Sequence, residues 1–332
     1  MQQPVVPQVA LPLVVFSLCI LALFGVSLSL WIRGLIRWSS GLPVLPQPEP
    51  RRMQRWGLVD LIFAFFVVFV LATLAAGTGF LLKIGPRPGP DGVLDLRMMV
   101  WISTVQSLAL GIVTVFIVLR LGIKLGAVGW SLENFFRDLR LGIIAFIVIA
   151  PPMYVLMVIV TLLSGMEYSH PIQQMASKNP WLLIPATFMA VILAPLGEEF
   201  AFRVLIQGFL ESMSKGRLTI EKLLLGRTVN DVSYGDDQLA LNDRVTTVPD
   251  EAEPTETLLP WWPIFVSGIL FGLLHFQYGM SWIPLILLGI ALGWLYRVTN
   301  RIWPSLVVHV CVNATSMIGF ALSVLFGDPS KL

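Results

Sequence analysis

Long apolar runs separated by short polar connections organise this sequence. Eight runs approach the roughly 20 residues that a helix needs to cross a bilayer. They cover about 10–32, 58–82, 98–120, 141–163, 181–210, 262–280, 282–297 and 302–326. The pattern predicts an all-α, polytopic integral membrane protein of about eight transmembrane helices. The seventh run is short and follows the sixth through a tight turn near Gly279. In SLENFFRDLR, residues 131–140, the residues Leu132, Phe135, Phe136 and Leu139 fall on one helical stripe. This predicts a short helix lying in the interface, with Ser131 as its N-cap.

Composition supports the membrane reading. Of 332 residues, 56% are hydrophobic and 13% charged, with a mean hydropathy of +0.81, whereas soluble domains carry about 25% charge. The net charge of +2 gives no electrostatic footprint for nucleic acid. Cys19 and Cys311 both lie in apolar runs, which argues against a disulfide framework. No Lys or Arg precedes Arg33, so the amino terminus lacks the basic region of a cleavable signal peptide and reads as a retained span.

Basic residues set the expected orientation. Assigning the connections between spans 1–2, 3–4, 5–6 and 7–8 to the cytoplasm places 16 of the 22 Lys and Arg on that side, counting Arg120 and Arg297 at the span ends that border them. The positive-inside rule then puts both termini outside. The expected location is the plasma (inner) membrane of a prokaryote. The connection GLPVLPQPEP, residues 41–50, reads as an extended spacer ahead of Arg51, Arg52 and Arg55. Residues 211–260 hold ten of the 20 acidic residues and read as a solvated, mobile insert. The chain divides into N-terminal helices and linkers (1–140), a core (141–326) that contains this insert, and a tail (327–332).

Charge at bilayer depth costs several kcal/mol and is normally paired or functional. The intramembrane ionisable groups read from the sequence are Glu198, Glu199, Arg203, His275 and His309, with the neutral Asn313 beside them. Glu199 and Arg203 are i and i+4, so they share a face and can pair. Alone, that pair reads as a helix clamp as readily as a site. Glu198 is rotated about 100° away and is left for chemistry. His309 and Asn313 repeat the i, i+4 spacing, as do Phe271 and His275, which places an aromatic ring below an imidazole. His170, in an outer connection, reads as incidental, and Gly289 and Gly293 read as close helix packing. Counting 1.5 Å per residue puts Glu198 and His309 about 10 Å from the cytoplasmic ends of their spans and His275 nearer 20 Å.

Together Glu198, His275, His309 and Asn313 suit hydrolysis of a carbonyl compound. A carboxylate and an imidazole can hold and deprotonate a water. A second imidazole and an amide can donate to a developing oxyanion. Zinc bound by Glu198, His275 and His309 is the alternative, although HExxH is absent. The favoured reading needs no cofactor.

These motifs resemble a known family. GEEFAFR is similar to EExxxR, FGLLH to FxxxH and HVCVN to HxxxN, in the order found in the CPBP family. Its members are also called Abi or type II CAAX prenyl endopeptidase-like intramembrane proteases. The resemblance covers about residues 141–326. It implies an all-helical core whose motif helices surround a cavity open to the cytoplasm. It further implies that Glu198 and His275 activate water, that Glu199 and Arg203 support or orient, and that His309 and Asn313 form an oxyanion hole. The favoured expectation is a glutamate-dependent endopeptidase acting on a membrane-associated, possibly lipidated, peptide or protein. A zinc metalloprotease and a non-catalytic interaction or immunity protein are the competing expectations.

Overall fold

The computed structural model describes residues 11–49, 56–84, 95–165, 181, 183–214, 219–226 and 260–326. Arg51, Arg52, Arg55, His170, most of the 211–260 insert and the 327–332 tail lie outside the described residues. Those that are described form helices α1 (Leu11–Ser39), α2 (Leu58–Leu81), α3 (Leu96–Leu121), α4 (Phe135–Ser164), α5 (residues 183–213), α6 (Ile220–Leu225), α7 (Trp262–Leu273), α8 (Trp282–Thr299) and α9 (Trp303–Phe326).

The chain is thus an all-helical polytopic membrane protein, and six of the regular helices among the described residues are long and apolar enough to cross a bilayer. They are α1 to α4, α8 extended back to Gly279, and α9. The sixth predicted span is the one that falls short. Its helix α7 has 12 residues, about 18 Å at 1.5 Å per residue against a hydrocarbon core of about 30 Å. A 3₁₀ turn, Phe276–Ser281, takes over, and Gly279 supplies its positive φ of +76°. The fifth span, α5, is continuous but not a regular α-helix. Residues Met189–Leu193 and Phe200–Gln207 wind as π-helix on either side of the α-helical turn Ala194–Glu199.

Proline and π turns leave backbone carbonyls without their usual i+4 donor. In a membrane such groups must be satisfied by the protein. In α4, Pro152 has no N–H to offer the carbonyl of Val148, and Trp31 Nε1 of α1 donates to that oxygen at 3.2 Å. This bond ties α1 to the bundle, although most of its surface, including Leu18, Leu21, Leu28 and Leu35, is exposed. In α5, the carbonyls of Ala190, Phe202 and Leu205 accept from Asn313 Nδ2 (2.8 Å), Ser267 Oγ (2.9 Å) and Trp56 Nε1 (3.0 Å).

Two apolar clusters flank α5. One gathers Trp56, Val113, Ile117, Phe200, Val204, Tyr296 and Ile302; the other gathers Met153, Phe202, Phe271, Leu288, Leu292, Val308 and Val312. Helices α7 and α8 pack backbone to backbone. A methyl group on Gly268 would lie 2.7 Å from Ile290 N, and one on Gly289 would lie 2.8 Å from the Gly268 carbonyl. The role assigned to Gly289 from sequence is the one it plays.

The interfacial helix expected over 131–140 is instead the start of α4, which begins at Phe135 after Asn134. Ser131 Oγ does not cap it but accepts a long bond (3.4 Å) from Glu133 N. The apolar stripe is not one buried face either. Phe136 is exposed, while Asp138, on the charged side, is fully buried. Asp138 accepts from Arg301 at 2.6 and 2.9 Å, and Arg301 also forks onto Glu49 at 2.6 and 2.8 Å. Burial opposes the Arg301 charge, but the bonds to Glu49 and Asp138 outweigh it and raise its pKa. Asp60, paired with Arg120, is a further buried charge absent from the sequence reading.

These contacts bring together the described parts of the α1–α2, α3–α4 and α8–α9 connections. Arg301 joins the α1–α2 linker to the α3–α4 and α8–α9 connections, and Trp303 Nε1 donates to Ser131 O. Gly57, before α2, lies against the backbone of Leu224 in α6.

Candidate functional site

The site is built on α5, α7 and α9. Its centre is His309 on α9, which meets both glutamates of α5. Nδ1 lies 3.0 Å from Glu199 Oε1, and Nε2 lies 3.7 Å from Glu198 Oε2. A carboxylate oxygen accepts only, so the Glu199 contact places a proton on Nδ1 and turns Nε2 towards Glu198. The two adjacent glutamates differ sharply in environment. Glu199 is wholly buried, whereas the Glu198 side chain keeps 29% exposure. Glu198 Oε2 is itself buried and makes no hydrogen bond within the described residues.

Glu199 is shared. Its Oε2 accepts from Arg203 Nε at 3.2 Å while Oε1 faces His309. Arg203 is equally buried, and its Nη1 donates to Ser267 Oγ at 3.1 Å. The i, i+4 pairing predicted for Glu199 and Arg203 is therefore present. Beyond Arg203, Gln207 donates through Nε2 to Glu211 Oε1 and to the Gly293 carbonyl, both at 2.9 Å. Gln207 and Glu211 are buried polar residues that the sequence reading missed. Their every-fourth spacing after Glu199 and Arg203 was the available signal.

Phe271 of α7 is the apolar hub. Its ring lies 5.5 Å from the His309 ring, 5.5 Å from the His275 ring and 5.4 Å from that of Phe202. The Arg203 guanidinium stands 5.3 Å from its centroid, within range of a cation–π attraction. Both imidazoles thus contact one ring. Helix α7 ends at Leu273. His275 caps the following 3₁₀ turn, with Nδ1 3.1 Å from the Phe271 carbonyl. It joins the cluster through Phe271, whereas the described ionic contact of Glu198 is with His309.

Asn313 sits one turn beyond His309, and its amide is bonded to the π-turn carbonyl of Ala190. A groove of about 730 Å³ opens between α1, α4 and α9, lined by Phe16, Phe24, Tyr154, Ile159, Thr315 and Phe320 among others. None of the candidate site residues lines it, so it is not the catalytic cavity the resemblance implied. Glu198, His275 and His309, the zinc alternative, do not form a metal-holding set. Among the described residues no group of three or more His, Cys, Asp or Glu does.

Residues 247–315 match the family model described as type II CAAX prenyl endopeptidase Rce1-like. No curated protein and no solved structure matches the chain. The matched segment contains Phe271, His275, His309 and Asn313, while the EExxxR stretch lies before it and enters the site through its contact with His309. The family that the three motifs resemble and the family matched over residues 247–315 are the same, that of the type II CAAX prenyl endopeptidase-like membrane proteins.

Proposed function

We propose that this protein is an intramembrane endopeptidase that hydrolyses a peptide bond in a membrane-associated substrate through a water activated by Glu198. The observation that carries the reading is the position of His309 between two carboxylates, bonded to Glu199 on one side and 3.7 Å from Glu198 on the other. The second distance exceeds a hydrogen bond, and Glu198 Oε2 has no hydrogen-bond partner among the described residues. A structural clamp needs only Glu199 and Arg203; it gives no reason for a second, hydrogen-bond-free carboxylate oxygen facing the other imidazole nitrogen.

In this mechanism Glu198 takes a proton from the water as its oxygen attacks the scissile carbonyl carbon. His309 positions that water, and Glu199 and Arg203 fix the ring. Glu198 then returns the proton to the amide nitrogen as the C–N bond breaks, which balances the step. His275, beside Phe271, shares in holding the water, as the family resemblance implies. Asn313 retains the oxyanion role implied for it through the second N–H of its amide, the first being bonded to Ala190. The matched family model is described as a type II CAAX prenyl endopeptidase, which makes a lipidated peptide one substrate to test beside unlipidated ones. With the basic connections in the cytoplasm, the site opens to that side.

The test is incubation of purified protein with a farnesylated CAAX peptide and with a panel of unlipidated membrane peptides, read by mass spectrometry, with Glu198→Gln as control. Endoproteolytic products from the wild type alone support the reading. No product from any peptide, or equal product from the control, contradicts it.

A further inference from the structure

We propose that Ser267 is a positioning residue that keeps Glu199 divided between Arg203 and His309. This rests on the reading of Glu198 and His309 as the catalytic pair, and concerns how α7 sets the geometry of α5.

Ser267 is fully buried one turn before Phe271, and its hydroxyl is used in both directions. It donates to the π-turn carbonyl of Phe202 at 2.9 Å and accepts from Arg203 Nη1 at 3.1 Å. One hydroxyl has one proton to give, so donation to Phe202 leaves only its lone pairs for Arg203. The serine therefore reports the orientation of the guanidinium relative to the helix that carries it.

That orientation matters because guanidinium and carboxylate prefer a two-pronged pairing. Here Arg203 meets Glu199 through Nε alone, and its buried Nη2 makes no hydrogen bond. A fork would engage both carboxylate oxygens and draw Oε1 away from His309 Nδ1. Ser267, by holding Nη1, blocks the rotation that would form it. The Phe271 ring 5.3 Å from the guanidinium restricts the remaining tilt. The consequence is that Oε1 stays on His309, which fixes the proton on Nδ1 and the direction of Nε2 towards Glu198.

The experiment uses full-length protein in nanodiscs with ¹⁵N-imidazole histidine, which labels only three side chains. The His309 resonances are assigned by their loss in His309→Gln. In Ser267→Ala the Nδ1 resonance of His309 is expected to leave its wild-type position for that seen in Glu199→Gln, and Ser267→Thr, which keeps a hydroxyl, to restore it. Ser267→Cys, close in volume with a weaker donor, is expected to show the same displacement and serves if alanine unfolds the protein. On a cleaved farnesylated CAAX peptide, kcat of Ser267→Ala should fall about tenfold to a hundredfold with KM within about twofold. An unmoved His309 signal in folded Ser267→Ala or Ser267→Cys overturns the proposal, whatever the activity. A wild type that cleaves nothing would instead overturn the proposed function, and the resonance comparison would still decide the role of Ser267.

Discussion

Glu199 and His309, 110 residues apart in sequence, are bonded at 3.0 Å in the middle of the helical bundle. The same carboxylate is held from behind by Arg203, so one buried group fixes two partners. Breaking such a buried pair leaves an unpaired charge, at a cost of about 3–5 kcal/mol. Arg203→Met should lower the unfolding free energy in a denaturant titration by that amount. The double variant Glu199→Gln, Arg203→Met should lose less than the two single losses added together. Strict additivity would show that the two side chains are not coupled.

The Trp31 bond to Val148 O predicts a small, purely structural effect. Trp31→Phe keeps an aromatic ring on α1 but removes the donor that replaces the missing N–H of Pro152. A loss of about 1 kcal/mol in unfolding free energy is expected, with peptide turnover unchanged. Unchanged stability would mean that the carbonyl finds another donor.

Close approach of α7 and α8 predicts intolerance to the smallest added side chain. In Gly268→Ala the new methyl group meets the Ile290 backbone nitrogen at 2.7 Å, an atom that cannot rotate away. Overpacking of this kind costs about 1–3 kcal/mol, and the displaced α7 carries Ser267, Phe271 and His275. Thermal unfolding and turnover should both fall. Wild-type values for both would contradict the packing.

Arg301 predicts a pH response with a definite sign. Its pKa is raised in the folded protein, so its contribution is complete below the ordinary unfolded value and is lost only above the still higher folded one. The stability difference between the wild type and Arg301→Gln should therefore be constant from about pH 7 to about pH 10. A difference that shrinks as the pH rises through that window would show that Arg301 loses its charge there.

The sequence was informative where periodicity and charge rarity coincide. Apolar runs located the helices, and the i, i+4 spacing of Glu199 and Arg203 anticipated their bond. Four features were not legible. The shortness of α7 depends on where a 3₁₀ turn replaces a helix inside one apolar run, which hydropathy does not distinguish. The π turns of α5 depend on donors from Trp56, Ser267 and Asn313, residues far away in the chain. The imidazole beside Glu198 was not fixed by helical spacing, which says nothing across helices; the family resemblance implied His275, whereas the described contact is with His309. The buried charges Asp60, Asp138 and Arg301 were hidden for a related reason. They lie at span ends, where a charge reads as solvated until its partner is seen.

The most direct measurement is the turnover of Glu198→Gln on a peptide that the wild type cleaves, with unfolding of both proteins followed in parallel. Loss of the base predicts a fall in kcat of at least about a hundredfold with unfolding unchanged. Wild-type turnover by folded Glu198→Gln would contradict the assignment of Glu198 as the base.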